Sequence, residues 1–122
     1  MNKQLVLIAE DDVVSSQFLK TVFNKLGVDT LTASDGLETV EYVKKNPDIT
    51  LVMMDIKMPG LDGLSATRQI KLIRPELKII AQTAYALNSE RAQFLSEGCD
   101  DYISKPIEID LLMRMLKKHN II

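Results

Sequence analysis

The sequence has 122 residues and a formal net charge of −2 at pH 7, and 46% of its residues are hydrophobic. A chain of this size buries enough apolar surface for one core. Its acidic and basic residues are mixed along the chain and form no basic stripe that would bind nucleic acid or a membrane. Its early apolar run, residues 5–9, is too short to cross a bilayer. We therefore expect a single soluble domain over residues 1–122, cytoplasmic, with no direct contact to nucleic acid or membrane.

The first half of the chain predicts two complete strand–helix units and a third strand. Residues 5–9 predict the first strand, and the helical pattern after it ends at Gly27. Residues 28–33 predict the second strand, and the second helix ends at Asn46. Residues 51–54 are all apolar, as in a central parallel strand that is buried on both faces. The residues predicted to face the core are Val14, Phe18, Val22, Phe23 and Leu26 in the first helix and Leu37, Val40 and Val43 in the second.

The second half continues the same alternation. A third helix closes before Pro75, residues 77–82 predict the fourth strand, and a fourth helix runs from residue 88 to Gly98. Residues 101–104 predict a short fifth strand before the last helix. Five such units with right-handed crossovers form a doubly wound α/β sandwich, and we order its parallel strands 2-1-3-4-5. The residues predicted to face the core are Leu64, Thr67, Ile70 and Ile73 in the third helix and Ile109, Leu112, Met113 and Leu116 in the last.

Polar side chains stand where four of the predicted strands end. Glu10 and Asp11 follow the first strand, Asp55 the third, Thr83 the fourth and Lys105 the fifth. With the strands ordered 2-1-3-4-5, the first and third strands flank the topological switch point. Ligands bind there in open parallel sheets, outside the carboxyl ends of the strands. The sequence therefore predicts a site at this edge of the sheet.

The acidic residues of this group predict a magnesium site. Carboxylates within about 4–6 Å of one another repel, so a cation belongs among them. Oxygen ligands with no His or Cys nearby suit Mg²⁺, which keeps several waters and takes a phosphate oxygen. We expect Asp11 and Asp55 to bind the metal directly and Glu10 to bind it directly or through water. The backbone carbonyl of Lys57 is a further expected ligand, because the chain turns back over the site there.

Lys105 and Thr83 are expected to complete the site. The lysine is a mobile point charge that reaches a phosphate or carboxylate oxygen, and a cis bond before Pro106 would aim it inward. The threonine hydroxyl can donate to a phosphoryl oxygen. Ordinary alternatives are a solvated loop lysine and a strand threonine, and for Asp55 a turn residue before Pro59. Of the remaining acids of this region, Asp12 precedes a helix and is assigned as its cap, and Asp62, beside Gly63, is assigned as a turn or cap residue.

Taken together, these residues resemble the receiver domain of response regulators in two-component signalling. The resemblance covers residues 3 to about 118 and rests on Glu10-Asp11, on Asp55 within MDIKMPGLDG, on Thr83-Ala84, on Tyr102 and on Lys105-Pro106. It implies a flavodoxin-like three-layer sandwich. It also implies that Asp55, with Mg²⁺ bound, accepts a phosphoryl group from a phosphohistidine on a histidine kinase or a histidine phosphotransfer domain. Lys105, Thr83 and backbone N–H groups near Ala84 would neutralise the phosphoryl oxygens.

The resemblance further implies a switch and a lifetime for the phosphoryl group. Thr83 would move toward the phosphoryl group and Tyr102 would change rotamer behind it, which alters the surface of the fourth helix, fifth strand and fifth helix. Lys57 and Tyr85 occupy positions that tune hydrolysis in the family. Both are large, so we expect the phosphoryl group to persist for longer than seconds. Glu10 stands where the family more often has Asp, which favours a water-bridged metal contact.

By this resemblance the chain is a signalling domain that catalyses only its own phosphorylation and dephosphorylation. We expect a monomer or a weak, phosphorylation-dependent dimer. The stretch from residue 83 to residue 107 resembles the receivers of hybrid sensor kinases, so we favour a hybrid fragment over a stand-alone regulator. If so, the parent protein is a histidine kinase.

Two other functions share part of this pattern. A Mg²⁺-dependent phosphohydrolase would also use an aspartyl nucleophile. The pattern typical of such enzymes has a second acid two residues after the nucleophile, where this chain has Lys57. A pseudo-receiver would bind partners without phosphorylation, which the intact acidic, threonine and lysine positions argue against. Outside the site, we expect His119 to be a solvated surface residue. Cys99 has no second cysteine to pair with and suits a reducing compartment, so we expect a packed structural thiol.

Overall fold

The computed structural model of the protein describes residues 4–84 and 88–122. The strands lie in one parallel sheet in the order β2-β1-β3-β4-β5, which confirms the predicted fold. Among the described helices, none is both long and apolar enough to cross a membrane. The strands are β1 (Leu5–Ala9), β2 (Asp29–Ala33), β3 (Ile49–Asp55), β4 (Lys78–Thr83) and β5 (Asp101–Ser104). The helices are α1 (Val13–Lys25), α2 (Gly36–Lys45), α3 (Gly63–Ile73), α4 (Asn88–Ser96) and α5 (Ile109–Lys118).

Helices cover the sheet on both faces. Successive strand residues point to opposite sides, so each strand contributes side chains to both layers. Val52 and Met54 of β3 pack with α2, α3 and α4, whereas Leu51 and Met53 pack with α1 and α5. All four of these side chains are fully buried. The central position predicted for β3 is therefore confirmed, and its carboxyl end lies in the middle of one edge of the sheet.

Helix caps fix where the chain leaves that edge. The Asp12 carboxylate accepts the Ser15 N–H at 2.9 Å at the start of α1. The Asp62 carboxylate accepts the Ser65 N–H at 2.8 Å at the start of α3. Both cap assignments are confirmed. At the other end of α1, Gly27 has a φ of 75°, a left-handed conformation that ends the helix with little strain in glycine.

Several residues predicted to face the core are exposed instead. Val14 is 76% exposed and Leu37 is 63% exposed, and Phe18, Ile73 and Ile109 are also exposed. Val14, Leu37, Ile73 and Ile109 lie in the first or last turn of their helices, away from the part that packs on the sheet. In α1 the predicted Val22 and Phe23 are buried, and Leu19 is buried with them in place of Phe18. Three- and four-residue spacing alone does not distinguish Phe18 from Leu19.

His119 is the other correction, because its side chain is only 9% exposed rather than solvated. Its Nε2 lies 3.0 Å from Asp101 Oδ2. The chain turns back after α5, where Asn120 has a φ of 61° and the Ile121 N–H donates to Leu116 O at 2.8 Å. Ile121, which follows this turn, is buried. Cys99, by contrast, is a buried free thiol, as predicted.

Candidate functional site

The carboxyl ends of four strands bring the predicted site residues together. Asp55 is the last residue of β3 and Thr83 the last residue of β4, and both are 6% exposed. Glu10 directly follows β1 and is 3% exposed. Lys105 directly follows β5, and its backbone N–H donates to Thr83 O at 2.7 Å. The parallel sheet thus places residues that are far apart in sequence at one edge.

Three carboxylates form the acidic part of the site. Glu10, Asp11 and Asp55 each present an oxygen, and these oxygens all lie within 4.8 Å of one another. Glu10 and Asp55 are buried, whereas Asp11 is exposed and faces solvent. Hard oxygen donors without His or Cys among them match the ligand preference of Mg²⁺, which also keeps waters on its open side. The donor set therefore fits the predicted metal.

Lys105 is the cationic part of the site. Its Nζ donates to Glu10 Oε1 at 2.6 Å and lies 3.4 Å from Asp55 Oδ2. The peptide bond between Lys105 and Pro106 is cis. Burial, the largest single influence, lowers the pKa of Lys105, but the hydrogen bond to Glu10 and the charges of Asp55 and Glu10 together raise it. The ammonium is therefore charged in the physiological range and already lies among the acids.

Asp55 carries the most perturbed carboxyl of the site. Burial is the main cause that raises its pKa from 3.8 to about 7, and the hydrogen bond and charge of Glu10 add to it. The Lys105 charge and the Lys57 N–H act in the opposite direction. At neutral pH the carboxyl of Asp55 therefore carries a proton in part of the molecules, and in the others it is ionised and contacts its cationic neighbours. A divalent cation that binds these oxygens competes with that proton.

The turn between β3 and α3 holds Asp55 from the backbone side. The Lys57 N–H donates to Asp55 Oδ1 at 3.2 Å, and its side chain is exposed. The Gly63 N–H donates to Ile56 O at 2.9 Å. A Cβ on Gly63 would overlap the Asp55 carbonyl oxygen, so α3 begins this close to β3 only with glycine there. Lys57 thus reaches the site through its N–H, while its carbonyl stays a predicted ligand.

A cavity of about 270 Å³ lies at Asp55 and is lined also by Thr83, Lys105 and Phe94. Tyr102 is partly buried on the same side of the sheet as Phe94, and the two ring centroids are 6.4 Å apart. The Arg91 guanidinium lies 5.6 Å from the centre of the Tyr102 ring. The switch residue predicted on β5 therefore contacts α4. Tyr85, predicted to tune phosphoryl stability, lies outside the described residues.

Sequence reasoning treated Gln82 only as a strand residue, but it lies at the site. It pairs in register with Asp55, and Ile56 N–H donates to its carbonyl at 3.1 Å. Its side chain is fully buried and lines the cavity at Asp55. The available signal was a carboxamide in an otherwise apolar strand end, Ile79-Ile80-Ala81-Gln82.

The sequence matches the profile of the response regulator receiver domain over residues 6–117. Hybrid signal transduction histidine kinase I of Dictyostelium discoideum is 38% identical to it in an alignment that covers 95% of this chain. The chain spans only 7% of that kinase, and 15% of the transcription factor SKN7 of Chaetomium thermophilum, to which it is 39% identical.

Solved structures show the same fold. The receiver domain of the sensor histidine kinase PA1611 of Pseudomonas aeruginosa, solved with a magnesium ion in its active site cleft, is 32% identical with a TM-score of 0.86, and the match covers 95% of this chain and 96% of that one. The receiver domain of Ssk1 of Saccharomyces cerevisiae, in complex with the histidine phosphotransfer protein Ypd1, is 27% identical with a TM-score of 0.90, and the match covers 96% of this chain and 88% of that one.

Proposed function

Because this chain belongs to the response regulator receiver domain family of two-component signalling, we propose that Asp55 accepts a phosphoryl group from a phosphohistidine on a partner protein. One observation carries the proposal. The buried Asp55 carboxylate ends the central strand, with two further carboxylates within 4.8 Å and the Lys105 ammonium 3.4 Å away. This arrangement offers a nucleophile together with the positive charge that phosphoryl transfer requires.

The transfer is an in-line exchange at phosphorus. An ionised oxygen of Asp55 forms a bond to phosphorus while the bond from phosphorus to the histidine nitrogen breaks, and the imidazole leaves with its electron pair. Glu10, Asp11 and Asp55, with the Lys57 carbonyl as a further proposed ligand, would hold Mg²⁺, which would supply positive charge to neutralise phosphoryl oxygens. The Lys105 ammonium, 3.4 Å from Asp55 Oδ2, adds a second positive charge.

Thr83 and Tyr102 are proposed to report the phosphoryl group to the surface. The Thr83 hydroxyl donates to a phosphoryl oxygen, and Tyr102 fills the space that the threonine leaves. Tyr102 packs against Phe94 of α4, so a change of its rotamer alters the face made by α4, β5 and α5. Bulky Lys57 and Tyr85 hinder the attacking water, and the phosphoryl group persists for longer than seconds.

The donor is a histidine kinase or a histidine phosphotransfer domain. The complex of the Ssk1 receiver domain with Ypd1 supports this choice, because that partner is a histidine phosphotransfer protein. The likeness to hybrid kinase I supports a parent protein that is a hybrid histidine kinase. Within it, residues 1–122 form one receiver domain that acts in the cytoplasm, is monomeric or weakly dimeric when phosphorylated, and catalyses only its own phosphorylation and dephosphorylation.

Neither alternative function is favoured. The family match covers residues 6–117, and the homologues are receiver domains of signalling proteins rather than phosphohydrolases. Against a pseudo-receiver, the acidic cluster of Glu10, Asp11 and Asp55 is complete and lies beside Lys105.

Phosphotransfer from a purified phosphohistidine donor tests the proposal. Asp55→Asn removes the nucleophilic oxygen at almost the same volume, and we expect it to abolish labelling in the presence of Mg²⁺. Asp62→Asn is the matched control, because Asp62 caps α3 in the same turn, and we expect it to be labelled normally. Chelation of the metal should stop labelling of the wild type. Undiminished labelling of the Asp55→Asn variant would exclude Asp55 as the acceptor.

A further inference from the structure

Gln82 carries a buried carboxamide that makes no hydrogen bond with the described part of the protein. Neither its Nε2 nor its Oε1 has a partner there, and the residue is fully buried. Such a group is unusual, because the large majority of buried side-chain polar atoms in native proteins have a hydrogen-bond partner, either in the protein or in ordered water. A buried donor or acceptor without a partner destabilises the folded state. An apolar side chain of the same length would fill this space without that penalty, so the carboxamide calls for an explanation.

The position of Gln82 supplies one. Besides the cavity at Asp55, a second cavity of about 290 Å³ lies between α1 and the segment after β5. It is lined by Val14, Phe18 and Ile107 among others. Gln82 and Lys105 are the two residues that line both cavities, so they form the wall between them. Gln82 is therefore close to the lysine of the acceptor site.

Lys105 has more hydrogen-bond capacity than its present partners use. An ammonium has three donors, and its Nζ now donates to Glu10 at 2.6 Å and lies near Asp55 at 3.4 Å. Both of these acids are also the proposed metal ligands. If their oxygens held a cation, they would offer fewer lone pairs to the lysine, which would then need another acceptor to fix its direction toward the phosphoryl group.

We propose that Gln82 is a positioning residue, whose carboxamide oxygen accepts a hydrogen bond from the Lys105 ammonium as the lysine turns from Glu10 toward the phosphoryl group on Asp55. The inference rests on the proposed function. It explains why a polar group occupies a buried strand end: the carboxamide has no partner among the described residues and would gain one in the phosphorylated arrangement. Gln82 therefore favours the phosphorylated arrangement over the free one.

A double-mutant cycle with a phosphoryl mimic tests this role. Gln82→Met replaces the carboxamide by an apolar chain of similar length. We expect this variant to bind beryllofluoride with Mg²⁺ about tenfold more weakly than the wild type, as measured by NMR titration of the backbone amides. In a Lys105→Met background the same replacement should change the affinity less than twofold, because the lysine it positions is gone. Gln69→Met, the same change at an exposed position on α3, is the control and should bind as the wild type does.

Two further readouts separate positioning from packing. The side-chain NMR signals of Lys105 should shift on beryllofluoride binding in the wild type, and that shift should be smaller in the Gln82→Met variant. The free variant should unfold at the same urea concentration as the wild type or a higher one, since an unpartnered polar group has been removed. Gln82→Leu provides a second apolar replacement if methionine disturbs the strand.

The outcomes distinguish the two proposals. A wild-type protein that does not bind beryllofluoride would refute both the proposed function and the role of Gln82. A wild type that binds, with Gln82→Met binding equally tightly or losing the same factor in both backgrounds, would refute the role of Gln82 alone.

Discussion

Replacing Asp55 by asparagine should stabilise the metal-free protein at alkaline pH, although it removes the proposed acceptor. Burial together with Glu10 raises the pKa of Asp55 from 3.8 to about 7. Between these two values the folded state holds a proton that the unfolded state has lost, so the free energy of unfolding of the wild type falls as the pH rises. Asparagine takes up no proton, and this contribution disappears in the variant.

The size of the effect follows from the interval between the two pKa values. Each pH unit is worth about 1.4 kcal/mol, so the interval of about three units sets an upper limit of about 4 kcal/mol. Solvent at the exposed side of the cluster, next to Asp11, screens the charge, and we therefore expect about 2 kcal/mol in favour of the variant at pH 8. The difference should be near its minimum at pH 4 and level off above pH 7.

Urea unfolding followed by circular dichroism, with a chelator present, measures this difference between pH 4 and pH 8. Asp48→Asn, an exposed acid in the loop before β3, is the control and should stay within about 0.5 kcal/mol of the wild type. Addition of Mg²⁺ at pH 8 should stabilise the wild type more than the Asp55→Asn variant. An Asp55→Asn variant that is less stable than the wild type at pH 8, or equally different from it at every pH, would refute the electrostatic reasoning.

Three other predictions concern contacts around the site and at the end of the chain. Gly63→Ala should destabilise the protein by about 2 kcal/mol, because the added Cβ overlaps the Asp55 carbonyl and forces the start of α3 to move; equal urea midpoints would contradict this. Burial raises the pKa of the Cys99 thiol to about 11, so the folded protein should react with iodoacetamide at pH 8 at least tenfold more slowly than the urea-unfolded protein, as measured by mass spectrometry. His119→Ala should lower the free energy of unfolding by about 1 kcal/mol through loss of the contact to Asp101. An unchanged urea midpoint would show that this contact does not stabilise the protein.

Much of the site follows from the order of residues along the chain. Acidic residues after the first and third strands, with Lys105 after the fifth, meet once the strands are parallel and ordered 2-1-3-4-5. Right-handed crossovers, which hold for nearly all such folds, set the face on which each helix packs, and the observed strand pairing confirms the predicted order. The capping roles of Asp12 and Asp62 could also be predicted from the sequence, because the side chain of a capping residue bonds to a backbone N–H within four residues of it.

Other features depend on contacts between distant segments and were missed. Spacing predicted that Val14 and Leu37 face the core, yet the terminal turns that hold them are not covered by the sheet. His119 was predicted to be solvated, but its side chain is 9% exposed and Asp101 Oδ2 lies 3.0 Å from its Nε2. The periodicity of apolar residues gives their spacing along one helix. It does not indicate which part of that helix is covered by the rest of the protein.

The sequence by itself determined the five strand–helix units and the identity of the acids and the lysine at their ends, because hydrophobic periodicity and the residues that end each element are local properties of the chain. Only the tertiary structure decided the electrostatics of the sheet edge where these residues meet. The 2.6 Å contact joins Lys105 to Glu10 across 95 positions of sequence, and burial of Asp55 raises its pKa to about 7. The tertiary structure also decided that the Gln82 carboxamide is buried with no hydrogen-bond partner among the described residues, since burial is a property of the assembled fold.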